Sequence, residues 1–111
     1  MKFKKSVCEL QNVKPLKPEP SSIIGLALDS LGEGIIHGLR HHPEGNTNGW
    51  YIWIGDYSEK EDFFKSICIE HLKAHIKVDL TEYLDLPPGF RFLLDRDSYK
   101  DVWFDEYLLK L

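Results

Sequence analysis

Apolar positions are densest in Gly49-Trp50-Tyr51-Ile52-Trp53-Ile54-Gly55. Aromatic and β-branched residues in succession favour a strand. Alternation points Trp50, Ile52 and Ile54 one way and Tyr51 and Trp53 the other. Both sets are apolar, so both faces are expected to be covered and the strand to lie centrally in a sheet. Residues 34–41 read as a second strand. Residues 42–49 between the two are rich in turn formers. Together they predict an antiparallel hairpin with a long loop. Residues 90–95 are a third strand, with Phe90, Phe92 and Leu94 on one face. Residues 99–104 are a short strand closing the sheet.

Helical spacing is expected elsewhere. Over residues 21–32, a serine start, a stripe of Ile23, Leu26, Ala27 and Leu31, and a stop at Gly32 predict a helix. Ile69, Leu72 and Ile76 are spaced for a helical face, although residues 67–72 read equally well as extended. Residues 79–86 predict a further helical turn, with Thr81 as cap and Pro87-Pro88-Gly89 as terminator. Residues 105–111 are a short terminal helix or tail. Lys14 to Pro20 holds three prolines and reads as an extended connector. The segment before it is expected to be a short edge strand or a tail that orders on binding. The expected architecture is α+β: a small, mainly antiparallel sheet with helices packed on it. Residues 1–20 form a leading segment and residues 21–111 a single domain.

Composition narrows the function classes. A chain of 111 residues, 42% hydrophobic and 13% aromatic, supports one core and is not disordered. The formal charge is −4, with a pI near 5.7. Lysines gather at Lys2, Lys4, Lys5, Lys14 and Lys17, and no basic patch follows residue 20. That argues against a nucleic-acid partner. No apolar run approaches the ~20 residues of a membrane span, and no apolar stretch follows the basic start as a secretory signal requires. Cys8 and Cys68 match no zinc spacing and read as reduced thiols. A cytoplasmic location is expected.

Candidate chemistry is sparse. His37 and His41 share a strand face about 13 Å apart, too far for one metal. His71 and His75 stand at i, i+4, but His71-Leu72-Lys73-Ala74-His75 lacks the glutamate after the first histidine that a zinc-protease motif needs. No serine sits in a Gly-x-Ser-x-Gly turn. No glycine run matches a phosphate loop. Cys68 lies among isoleucines, where a thiol is usually inert. No catalytic residue, metal or cofactor is therefore assigned. The remaining enzyme alternative is small, using His71, His75 or Cys68. The carboxylates form two groups: Asp56, Glu59, Glu61 and Asp62 in one loop, and Asp95, Asp97, Asp101, Asp105 and Glu106 nearer the end.

Several stretches together resemble a known family. They are Gly34-x-Ile36-x-Gly38, the run from Thr47 to Tyr57, Asp62-Phe63-Phe64, Glu70-His71-Leu72, Leu86-Pro87-Pro88-Gly89-Phe90-Arg91-Phe92 and Asp101-Val102-Trp103-Phe104-Asp105. The chain is similar over residues 21–109 to the bacterial immunity protein thirty-three-like family. The resemblance implies a non-enzymatic protein that binds and neutralises a toxin of a polymorphic-toxin system in the same bacterium. It transfers no catalytic residue. Charge then nominates the partner-binding face: Asp56, Glu59, Glu61, Asp62, Asp97, Asp101 and Asp105 against a basic toxin. An interaction domain without a toxin is the alternative.

Overall fold

Six strands carry the alternation into one sheet: β1 (Ile23–Leu26), β2 (Ile36–Arg40), β3 (Thr47–Ile54), β4 (Lys65–Cys68), β5 (Phe90–Leu94) and β6 (Lys100–Phe104). The computed structural model describes residues 5–28, 34–95 and 99–110. Strand order is β4-β1-β3-β2-β5-β6. Every pairing is antiparallel except β1 with β3. The architecture is α+β, as expected. β2 and β3 form the expected hairpin, with Gly38 opposite Ile52 and Arg40 opposite Trp50.

One face of the sheet carries the core. Ile24, Leu26, Ile36, Trp50, Ile52, Ile54, Phe90, Phe92 and Leu94 are buried there. They pack against the short helices α1 (Val7–Leu10), α2 (Leu72–His75) and α3 (Thr81–Leu84) through Cys8, Leu72, Ile76, Leu80, Leu84 and Leu86. Gly38 is required in this face. A Cβ there would collide with the Phe92 ring, which also meets Trp50 and Tyr83.

Arg40 is the unexpected member of the core, at 1% exposure. Its Nε donates to the Asn48 carbonyl at 2.9 Å. Its Nη1 donates to the carbonyls of Leu16 at 2.7 Å, Leu86 at 2.8 Å and Leu84 at 3.4 Å. The guanidinium also lies 5.6 Å from the Trp50 ring centre. One side chain thus ties the proline-rich segment and the α3–β5 connection to the sheet. The carbonyls satisfy a buried cation that would otherwise be costly.

Three local expectations change, and one open reading is resolved. Residues 23–26 are a strand, not the start of a helix. Ser22 is buried and does not cap; its Oγ donates to the Glu19 carbonyl and accepts from Asn48 Nδ2. Residues 29–32 of that expected helix, with Gly32, lie outside the described residues. Residues before the proline-rich segment form α1 rather than an edge strand. A reciprocal cap holds α1: Glu9 N–H donates to Ser6 Oγ, and Ser6 N–H to the Glu9 carboxylate. Residues 65–68 extend as edge strand β4, then a 3₁₀ turn at Ile69–His71 leads into α2. Thr81 begins α3 instead of capping it; the Asp79 carboxylate accepts from both its N–H and its hydroxyl. The chain closes with a 3₁₀ turn at Glu106–Leu109.

Candidate functional site

The three α-helices of the described residues lie on one side, so the opposite sheet face is left to loops. Register sets two rows across that face. Gly25, Tyr51, Leu39, Arg91 and Trp103 form one row. Trp53, His37, Leu93 and Asp101 form the other. The connection after β3 folds back over part of this face. Tyr57 meets the Trp53 ring at 5.3 Å, and Phe64 meets Tyr51 at 5.1 Å and Trp53 at 6.0 Å. Phe63 closes the cluster against Phe64 and Tyr57. Trp53 is therefore 5% exposed while Tyr51 remains 37% exposed. Over residues 50–54 both faces of β3 are covered as expected, with Tyr51 as the exception.

The polar groups here are held by aromatic contacts. The His37 ring stacks on Trp53, 4.9 Å between centres and 2° from parallel. Burial first, and then the nearby Arg91 charge, push its pKa below the usual 6.5. Arg91 lies over Trp103 at 5.8 Å and pairs with Asp105 at 3.0 Å. His41 Nδ1 is 2.9 Å from the Leu108 carbonyl, so that nitrogen carries the proton and donates. His37 and His41 do share this face, each engaged by a different aromatic residue.

The nominated acids divide. Asp56, Glu59, Glu61 and Asp62 are all exposed on the loop that covers the β3 half of the face. Asp101 is exposed on β6, in the row that runs through Leu93 and His37 to Trp53. Three strand spacings separate the two positions, about 14 Å. The acids thus flank one open face. Asp105 is already engaged: it pairs with Arg91, and its carboxylate also accepts from Tyr107 N–H. Asp97 lies outside the described residues.

The enzyme candidates are not brought together into a recognisable constellation. His71 and His75 are exposed at the two ends of the α2 region. Cys68 Sγ lies 3.8 Å from the Pro20 carbonyl. Burial and the nearby Asp85 and Glu82 raise the Cys8 pKa, which disfavours a reactive thiolate. Among the described residues, no three histidine, cysteine or carboxylate side chains gather as metal ligands. No helix there is long and apolar enough to cross a membrane. Sequence reasoning missed the Tyr51 row and Arg91 with Trp103. The signal was the polar-side alternation His37-x-Leu39-x-His41 and Arg91-x-Leu93, which marks residues sharing the second face.

Comparison with known proteins gives one match. The family model described as the Imm33-like domain matches residues 4–105. The match begins well before residue 21, and so includes α1 and the proline-rich segment. No curated protein and no solved structure matches the chain.

Proposed function

The chain belongs to the Imm33-like family, and from that premise we propose that it is an immunity protein that binds and neutralises a protein toxin of its own bacterium. The family match over nearly the whole chain carries this reading. The protein acts by occupying the toxin, without catalysis, in the cytoplasm of the producing cell. The surface that meets the toxin is the open sheet face with its acidic borders, Asp56, Glu59, Glu61 and Asp62 on one side and Asp101 on the other. The proposed contact set also includes Asp97, and Asp105 with its bond to Arg91. A net charge of −4 suits a basic toxin surface. Toxins that act on nucleic acid need such a surface, and covering it blocks the substrate without any chemistry.

The test is survival. The toxin encoded beside this gene is induced in a sensitive host with and without the chain. The proposal expects growth only when the chain is present. Equal killing in both cultures removes it.

A further inference from the structure

Tyr51 is the exposed large side chain of β3, whose residues 48–50 and 52–54 are buried, and its ring is held from three sides. It lies over Gly25, where an added Cβ would come within 2.6 Å of the ring. Phe64 meets one edge at 5.1 Å and His41 another at 5.6 Å. A fixed aromatic ring loses little freedom when a partner lands on it. Grooves open on both sides of it. One, of about 300 Å³, is lined by Gly25, Tyr51, Glu61, Phe64, Lys65 and Ser66, among others. The other, of about 460 Å³, is lined by Tyr51 with His41, His42, Glu44 and Leu108.

Each groove combines an aromatic wall with a single glutamate. Neither Glu44 nor Glu61 makes an ion pair among the described residues. Lys60 and Lys65 are outnumbered by the four carboxylates at 56, 59, 61 and 62, so that border is net negative. An aromatic face beside a free carboxylate suits a guanidinium or ammonium group, through cation–π attraction and charge together.

We infer that Tyr51 is a docking ridge for a basic segment of a partner protein, which seats one Lys or Arg in the groove on each side of the ring. This rests on the proposed function only in taking the toxin as that partner. The basic side chains supply orientation, and the ring supplies the buried anchor.

Two measurements test it. In the first, the isotope-labelled protein is titrated by NMR with the peptide acetyl-Gly-Arg-Ser-Arg-Gly-amide and with its Glu counterpart. Saturable shifts are expected at Gly25, Thr47, Tyr51 and Ser66 with the Arg peptide only, and they should vanish in Tyr51→Ala. No saturable shift, shifts confined to residues 56–62, or equal response to both peptides overturns the ridge.

In the second, affinity is measured for the toxin encoded beside the gene. Tyr51→Ala should weaken it at least about tenfold. The double variant Glu44→Gln with Glu61→Gln should weaken it severalfold at low salt and by less at high salt. Leu10→Ala, exposed on α1 across the sheet, should leave it unchanged. Thermal midpoints confirm that each variant is folded. Toxin binding that ignores Tyr51 and both glutamates overturns the ridge and leaves the immunity reading standing. Failure of the parent protein to bind that toxin removes the immunity reading, and the peptide titration then decides the ridge alone.

Discussion

Arg40 takes a guanidinium into the core and meets carbonyl oxygens there. Burial lowers its pKa to about 10, so it remains charged at neutral pH. Lysine has neither the Nε donor nor the fork that reaches Asn48, Leu16 and Leu86 together. Arg40→Lys and Arg40→Met should each destabilise the protein by about 2–4 kcal/mol in urea unfolding. An unchanged midpoint for Arg40→Met would mean that the carbonyls are satisfied without the guanidinium. Trp50→Ala should cost about 3–5 kcal/mol, since it also removes the indole N–H donor to the Leu84 carbonyl. His37 gives a pH signature. Its folded pKa lies below the unfolded value near 6.5, so its neutral form is favoured in the fold. Above that value the effect is absent; as pH falls through it, the unfolded chain takes the proton first and stability drops. His37→Phe keeps a ring on Trp53 and should lose less stability between pH 7.5 and 5.5 than the parent. Equal losses would assign the acid sensitivity elsewhere. Trp50, Ile52 and Ile54 were legible as core because period-two alternation marks a face. Arg40 was not, because three of its four carbonyl partners lie 24 to 46 residues away and a charged strand end ordinarily faces water.

β1 shows where periodicity stops being informative. Ile23 to Leu28 is a short apolar run, and such a run fits a helix face or a buried strand equally well. Parallel pairing with β3, a tertiary contact, decides it. Gly25 separates the two readings by sign. In a helix, Gly25→Ala would stabilise by up to about 1 kcal/mol. In this strand the new Cβ meets the Tyr51 ring, and a loss of about 1–3 kcal/mol is expected from overpacking. A raised thermal midpoint would return the segment to a helix. The acidic loop between β3 and β4 was legible by composition, but its position was not. Its aromatic residues Tyr57, Phe63 and Phe64 fold it back over Trp53, which no local pattern announces. Those anchors leave the carboxylates at the border. Changing Glu59, Glu61 and Asp62 to Lys should therefore slow toxin association and weaken protection while leaving the fold intact, with the loss shrinking as salt is added. Undiminished, salt-insensitive protection would place the interface away from this loop.

At the scale of the whole molecule, the described residues form one sheet closed by short helices on one side and by a partial aromatic cover on the other. The closed side holds the chain together, through Trp50, Phe92 and Arg40. The other keeps Tyr51 uncovered, with His37, Arg91 and Trp103 beside it and acids at its borders. That division into a sealed core and an open face suits the proposed inhibition by occupation, which calls for a contact surface. The α+β class was readable from the strand patterns, whereas which face stays open was decided by where the helices and the loop settle. The central claim is that the protein acts by stoichiometric occupation. It is tested most directly by titrating the purified toxin encoded beside the gene with this protein and following the toxin's activity. The account predicts a linear fall that ends at one equivalent, with a complex that survives gel filtration and releases active toxin on denaturation. Loss of activity at far less than one equivalent would reveal a catalyst, and full activity at excess protein would show that this toxin is not its partner.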